Sequence, residues 1–240
     1  MKRINANVTM LELDMEFMGK DRVIHPLLLA EKGYTMLIDA GLPGQYEQLS
    51  QELHAAGISP EMLDAVLLTH QDLDHIGCLP ELDTVNRYAT FYAHEGDAPY
   101  IRGERPLLKE NVVPWQSELT QLPSGRIDRY LTHGQQFNIA GGIEVIHTPG
   151  HTAGHVCLLL PQERAVIAGD IVFYIDDELV LPPVELTEDV PAAMQSLEQL
   201  LHYDFDTLIC YHGGVCYDAK ARLRRLLAQS SVERRLEKGS

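Results

Sequence analysis

The sequence predicts an α+β fold in one domain, from three observations. Short apolar runs with the length of β-strands occur in both halves of the chain. Segments in which apolar residues have helical spacing lie between and after these runs. Hydrophobic residues make up 45% of the 240 residues, which allows one substantial core. We therefore expect a single domain over residues 1–240.

In the first half, strands precede and follow a helix. The helix is predicted over 46–56, where apolar residues recur at helical spacing and Gly57 follows the last turn. A segment at 96–131 is longer than ordinary connections and rich in Pro, Gly and charged residues, so we interpret it as a lid-like insertion. Strands are predicted at 8–13, 23–30, 34–38, 65–68 and 91–93.

The second half repeats this alternation of strands and helices. A helix is predicted over 189–201, with Pro191 in its first turn, where proline is tolerated. A final helix is predicted over 219–228, with its arginines on the solvated side. Strands are predicted at 143–147, 156–160, 165–168 and 207–211. A second half-sheet is therefore expected.

Charge and composition restrict the classes of partner. The formal charge of -16 and the pI near 5.0 disfavour binding to nucleic acids or anionic membranes, because both require positive surface. We expect neither a signal peptide nor a membrane span, because no apolar run of the required length follows Met1 to Arg3 or occurs later in the sequence. Four cysteines without C-x-x-C spacing do not predict a disulfide framework. We expect a cytoplasmic protein that acts on a small molecule.

The residues that point most directly to chemistry follow the apolar run 65–68. His70, Asp72, Asp74 and His75 place two imidazoles and two carboxylates within six residues. Such donors suit divalent ions such as zinc, manganese and ferrous iron. The segment therefore predicts a metal site on a loop at the end of a strand.

Three later segments repeat this pattern of an apolar strand followed by a candidate ligand beside glycine. His151 lies in the turn after 143–147 and follows Gly150, which permits close approach of the backbone. Asp170 ends the segment 165–170 and follows Gly169. His212 follows the last predicted strand and precedes two glycines. We expect these ligands to join those of the first segment.

The order of these motifs over residues 39–214 resembles that of the metallo-β-lactamase superfamily, in particular its lactonase-like and glyoxalase II-like metallohydrolases. The resemblance implies a four-layered αβ/βα sandwich with a binuclear metal site at one edge. It also implies that Asp39 orients a ligand and that Asp170 bridges two divalent ions. By the same resemblance, one ion is held by His70, Asp72 and His151, and the other by Asp74, His75 and His212.

Asp72 departs from the pattern of that family. The common motif H-x-H-x-D-H is here His70-x-Asp72-x-Asp74-His75, so a carboxylate replaces an imidazole. The resemblance implies zinc, whereas an anionic oxygen ligand shifts the preference toward manganese or iron. The alternative is that Asp72 turns away and leaves one metal position weakly occupied.

The expected activity is hydrolysis of an ester-like bond, in a lactone, thioester or related compound, by a hydroxide that bridges the two metals. Asp74 is a candidate for proton transfer in addition to its role as a ligand. Tyr174 is a candidate catalytic residue, although quorum-quenching lactonases carry their tyrosine one position earlier, where this chain has Phe173. The alternatives are an iron-dependent redox enzyme of the same fold and a phosphodiesterase. The oligomeric state stays open.

Overall fold

Two β-sheets lie at the centre of the molecule. The structure, a computed structural model, describes residues 1–17, 20–109 and 122–237. Its strands are β1 (Lys2–Arg3), β2 (Val8–Met10), β3 (Leu13–Phe17), β4 (Lys20–Ile24), β5 (Leu27–Glu31), β6 (Tyr34–Ile38), β7 (Ala65–Leu67), β8 (Thr90–His94), β9 (Arg129–Leu131), β10 (Gln136–Phe137), β11 (Ile143–His147), β12 (Val156–Leu160), β13 (Ala165–Gly169), β14 (Phe173–Ile175), β15 (Glu178–Val180), β16 (Thr207–Cys210) and β17 (Gly214–Cys216).

Helices connect these strands. Short 3₁₀ turns are formed by Pro60–Met62 and Val184–Leu186. The α-helices are α1 (Tyr46–Ala55), α2 (Leu73–Ile76), α3 (Leu79–Val85), α4 (Ala98–Ile101), α5 (Val190–Leu200) and α6 (Ala219–Glu237). No helix in the described ranges is long and apolar enough to cross a membrane.

The topology brings the ends of several strands to one edge. The first sheet has the order β1-β2-β5-β6-β7-β8-β9, and the second has the order β10-β11-β12-β13-β16-β17. Strands β6 to β9 pair in parallel, and so do β13 and β16. Strand β11 has the direction of β13, because each is antiparallel to β12. The carboxyl ends of β6, β7 and β8 therefore share one edge of their sheet, as do those of β11, β13 and β16.

Alternating side chains give each sheet two buried faces, one toward the other sheet and one toward helices. In the first sheet, Leu37 and Val66 pack against α1 to α3, while Met36 and Ile38 face the second sheet. In the second sheet, Val166 packs against α5 and α6. The layers are helices, sheet, sheet and helices, so the predicted four-layered αβ/βα sandwich is confirmed.

Some predicted elements were wrong in their extent. The strand predicted at 23–30 is interrupted at Pro26, which cannot donate a ladder hydrogen bond. Its first part instead pairs with Leu13–Phe17 in a hairpin, β3–β4, outside the large sheets. The lid-like insertion around 96–131 stays a prediction: its described part includes α4 and β9, and 110–121 lie outside the described residues. The last helix extends to Glu237 rather than to residue 228.

Candidate metal centre

The first four predicted ligands follow β7. His70 comes three residues after the strand, and Asp72 is the residue before helix α2. Asp74 and His75 lie within that helix, so half of the segment predicted as a loop is helical. A helical turn directs Asp74 and His75 to one side of Asp72 and His70, which separates the four donors into two pairs.

The other three predicted ligands follow strands of the second sheet. Gly150 has φ +140°, and a Cβ there would lie 2.1 Å from the Ala193 nitrogen of α5, so the turn that carries His151 requires glycine. Asp170 and His212 follow β13 and β16, the parallel pair. All three lie at the edge where the carboxyl ends of these strands meet.

The structure brings the seven predicted ligands into two adjoining groups. In each group, one donor atom from every residue lies within 4.8 Å of the others. Asp170 belongs to both groups, with Oδ1 3.3 Å from His75 Nε2 and Oδ2 3.1 Å from His212 Nε2. The groups are His70, Asp72, His151 and Asp170, and Asp74, His75, Asp170 and His212.

Hydrogen bonds on the far side of two imidazoles direct their free nitrogens into the centre. His75 Nδ1 lies 2.9 Å from Asp39 Oδ2, and His70 Nδ1 lies 3.0 Å from Thr69 Oγ1. Thr69 Oγ1 in turn donates to Asp39 Oδ2 at 2.8 Å. With the proton on Nδ1, each ring presents the lone pair of Nε2, as in many metal-binding histidines. Asp39 thus makes the contact expected of a residue that orients a ligand.

Buried atoms without partners indicate that the centre fits cations. His70 Nε2, His75 Nε2 and Asp170 Oδ1 are buried and accept or donate no hydrogen bond within the described part of the chain. Burial alone would raise the pKa of Asp170, but His212 and His75 outweigh it and hold that pKa well below its usual range. Burial would lower the pKa of His212, whereas Asp170 and Asp74 raise it to about 9. The carboxylates therefore favour positive charge here, which divalent ions would supply.

A cleft of about 700 Å³ opens onto both groups. Its floor includes Asp72, Asp74, Asp170, His151 and His212. The hairpin β3–β4 and the hairpin β14–β15 form part of its walls. Apolar side chains in these walls and nearby are Met15, Val23, Leu73, Leu107, Phe173, Ile175 and Leu186. The candidate ligands are thus accessible to a small molecule.

Residues 20–212 match the sequence profile of the family described as the metallo-beta-lactamase superfamily. The chain belongs to this superfamily. Its solved members include a metallo-β-lactamase family protein from Thermus thermophilus, with a TM-score of 0.79 at 21% identity, covering 96% of this chain and 81% of that one. A superfamily protein from Sulfolobus tokodaii has a TM-score of 0.71 at 22% identity, and the match covers 93% of this chain and 85% of that one. These likenesses concern the fold.

The relatives found by sequence differ in how much of this chain, and how much of their own length, the match covers. The probable metallo-hydrolase YflN of Bacillus subtilis is 29% identical over 74% of this chain and 75% of its own. An atrochrysone carboxyl ACP thioesterase of Aspergillus fumigatus is 30% identical over 69% of this chain and 42% of its own. A hydroxyacylglutathione hydrolase of Rhizobium meliloti is 38% identical over 42% of this chain and 37% of its own. The match to the last two is thus confined to part of each protein.

Within this metallo-β-lactamase fold, the Asp72 carboxylate points into the centre rather than away from it. Its Oδ2 lies 3.0 Å from His151 Nε2 and 3.4 Å from His70 Nε2. Burial would raise the pKa of Asp72, but Lys109 and His70 hold it well below its usual range. The structure therefore does not support the alternative in which Asp72 turns outward.

Lys109 is a residue of the centre that the sequence did not indicate. Its Nζ donates to Asp72 Oδ2 at 2.5 Å and lies 2.8 Å from His151 Nε2. Burial, followed by Lys109, lowers the pKa of His151 to about 4, so this imidazole is neutral. The sequence around a single lysine in a long irregular segment does not indicate that the lysine will contact residues distant in the chain.

Asp97 is a second such residue, and it joins the two ligand segments. Its Oδ2 accepts from the Gln71 nitrogen at 3.0 Å and from Thr152 Oγ1 at 2.6 Å, and its Oδ1 accepts from the Gly154 nitrogen at 2.7 Å. A Cβ at Gly154 would lie 2.5 Å from Asp97, so the approach requires glycine. Burial raises the pKa of Asp97. The pair Gly96-Asp97 after β8 repeats the pattern of Gly169-Asp170 after β13. This repetition in the sequence could have indicated that Asp97 lies near the candidate ligands.

His155 holds the backbone of Asp170. Its Nε2 accepts from the Asp170 nitrogen at 3.0 Å, and its Nδ1 lies 2.8 Å from Thr148 Oγ1. Burial lowers the pKa of His155 well below its usual range, which agrees with a neutral ring that accepts at Nε2. His155 thus acts through a hydrogen bond to the backbone and is not among the candidate ligands.

The candidate catalytic residues Asp74 and Tyr174 differ in their surroundings. Asp74 Oδ2 lies 3.1 Å from His212 Nε2 at the floor of the cleft. Tyr174 lines the same cleft, but its hydroxyl donates to Asp177 in the exposed turn between β14 and β15. Hydrogen bonding to Asp177 raises the pKa of Tyr174 to about 12. The phenol is therefore engaged outside the metal centre.

Three other residues, Cys78, Tyr130 and Tyr100, are not part of the candidate site. Cys78 is buried, and its Sγ donates to the Leu42 carbonyl, so it is not among the candidate ligands. Tyr130 is 50% exposed and accepts from Arg102, and it is not among the residues that line the cleft. Tyr100 packs against the core beneath the first sheet.

Proposed function

We propose that the protein is a metal-dependent hydrolase that cleaves an ester-like bond with the aid of two divalent metal ions. The observation that carries this proposal is the pair of donor groups that share Asp170 at the floor of an open cleft. One ion would be held by His70, Asp72, His151 and Asp170, and the other by Asp74, His75, His212 and Asp170. When bound, such a pair lowers the pKa of water to near neutrality and polarises a carbonyl oxygen.

The residues of the chain orient the donors and the substrate. Asp39 and Thr69 fix the two imidazoles of the first ligand segment, and His155 fixes the backbone of Asp170. Asp74 borders the cleft and is placed to pass a proton to a leaving group in addition to its role as a ligand. The apolar walls would exclude water from the acyl part of a substrate.

The charges of the cleft favour a neutral substrate over an anionic one. Among the described residues, and apart from the candidate ligands, four carboxylates line the cleft, against two cations, Arg22 and Lys109. A polyanionic nucleic acid would be repelled by these carboxylates, in line with the overall charge of -16. The carboxylates belong to Glu12, Asp14, Asp21 and Asp176.

Relatives support hydrolysis of esters and thioesters in particular. They include proteins named as a probable metallo-hydrolase, an ACP thioesterase and a hydroxyacylglutathione hydrolase. Because lactones and thioesters both present a carbonyl next to a good leaving group, the same centre would serve either.

A substrate panel tests the activity. We expect the metal-loaded protein to hydrolyse neutral lactones and neutral acyl thioesters with kcat/KM about tenfold above that for a glutathione thioester, which corresponds to about 1.4 kcal/mol of repulsion. High salt should narrow this difference, because it screens the carboxylates of the cleft. β-Lactams and phosphodiesters complete the panel. Hydrolysis that persists after complete chelation of metal would contradict the proposal.

The position of Asp72 gives a test of metal preference. We expect Asp72→His to shift the selectivity toward zinc and away from manganese and iron, because it replaces an anionic oxygen by a nitrogen donor. Competitive loading with these metals, followed by elemental analysis, measures the shift. An unchanged ratio of bound metals would show that Asp72 does not determine the preference.

An iron-dependent redox activity is the second candidate, and the inward carboxylate of Asp72 is the observation that favours it. Oxygen consumption by the iron-loaded protein without ester hydrolysis would favour this candidate over the hydrolase.

A further inference from the structure

The ammonium group of Lys109 lies within the first donor group. Its Nζ is 2.5 Å from Asp72 Oδ2 and 2.8 Å from His151 Nε2, and the residue is only 7% exposed. A lysine is rarely buried to this degree unless its charge is paired. Lys109 therefore has a defined place beside the ligands rather than at the rim of the cleft.

The two atoms that Lys109 contacts are those that a metal ion would use. Asp72 offers an anionic oxygen, and His151 offers the lone pair of Nε2, since an ammonium group can only donate. The 2.8 Å contact therefore requires that Nε2 accepts and that the ring proton lies on Nδ1, which is buried without a hydrogen-bond partner in the described chain. The ammonium group thus satisfies the same oxygen and nitrogen that a divalent ion would.

The neighbouring chain holds Lys109 in this place. Leu107 is buried against the core of the first sheet and its helices. The Leu108 nitrogen donates to Gln71 Oε1 at 3.3 Å, and Gln71 is itself fully buried between His70 and Asp72. These contacts attach the segment directly before Lys109 to the ligand segment.

The second donor group, unlike the first, has no lysine side chain among its described contacts. Asp74, His75 and His212 contact one another and Asp170, and none of their described contacts is with a lysine or arginine. We propose that Lys109 occupies the metal position bordered by Asp72 and His151, so that a metal ion enters there only by displacing it. This inference rests on the proposed function. The position bordered by Asp74, His75 and His212 would then fill at a lower metal concentration than the other.

Calorimetric titration of the metal-free protein with Zn²⁺ tests the proposal, with elemental analysis to count bound ions. We expect the wild-type protein to bind a second ion at least about tenfold more weakly than the first. Tenfold is the lower end of the 10- to 100-fold change in metal affinity that residues in contact with metal ligands cause. Lys109→Met keeps an unbranched side chain that is one heavy atom shorter and removes the competing charge, so the second ion should bind at least about tenfold more tightly than in the wild type. Arg22→Met is the matched control, because Arg22 lines the same cleft without a described contact to a candidate ligand. Its affinities for the two ions should equal those of the wild type.

A measurement on the wild-type protein does not depend on the folding of a variant. Acetylation of lysines followed by mass spectrometry should modify Lys109 slowly without metal and faster once two equivalents of Zn²⁺ are bound. Labelling of Lys32, which is 88% exposed, should not change. Equal affinities for both ions in the wild type, or Lys109 labelling that is unaffected by metal, would overturn the role of Lys109. The absence of any metal binding would instead overturn the proposed function.

Discussion

Asp170→Asn is expected to remove metal from both positions at once. Asp170 belongs to both donor groups, and its two oxygens face different imidazoles, His75 and His212. The amide keeps the shape of the side chain but loses the negative charge and one acceptor. We expect affinity to fall at least about 100-fold at each position, since residues that only orient ligands already contribute 10- to 100-fold. Hydrolysis should fall with metal occupancy.

Two comparisons make this result specific. Asp21→Asn removes the same charge from the cleft wall, where Asp21 makes no described contact with a candidate ligand, and should leave metal stoichiometry unchanged. His212→Asn should weaken only the position that His212 borders. Elemental analysis of dialysed protein measures all three. Retention of one tightly bound ion by Asp170→Asn would show that Asp170 does not serve both positions.

Asp97→Ala is expected to destabilise the fold by about 3 to 5 kcal/mol, because it leaves three buried donors without an acceptor. These donors are the nitrogens of Gln71 and Gly154 and the hydroxyl of Thr152. The substitution also removes a side chain that bonds to both ligand segments, next to His70 and next to His151. Metal affinity should therefore decrease by about 10- to 100-fold, although Asp97 is no ligand.

Urea denaturation and metal titration measure the two effects. Asp97→Asn keeps one acceptor oxygen and should lose less stability than Asp97→Ala. Asp204→Ala is the control for loss of a surface carboxylate: Asp204 is 76% exposed and pairs with Arg164, so its removal should cost less than about 1 kcal/mol. A loss of stability by Asp97→Ala no larger than that of Asp204→Ala would mean that Asp97 does not join the segments.

Many features of the fold were predictable because their causes are local. Apolar runs bounded by glycine or proline matched β6, β11 and β12 over their full lengths. Hairpin β3–β4 was missed because its strands are half exposed and charged, so the run of apolar residues that predicts a strand is absent. In β6, successive side chains point to opposite faces of the sheet, and both faces are buried. The strand therefore reads as a continuous apolar run.

The candidate ligands and their places after strands can be read along the chain, because each imidazole or carboxylate lies in the segment that follows an apolar run. The grouping of these ligands cannot be read in this way, since Asp72 and His151 are 79 residues apart and meet only when both sheets pack. The same holds for Lys109, 37 residues from Asp72, and for Asp97, 57 residues from Gly154. Whether a single charged side chain is buried depends on the residues that surround it in space. Those neighbours are set by the order of the strands in the two sheets.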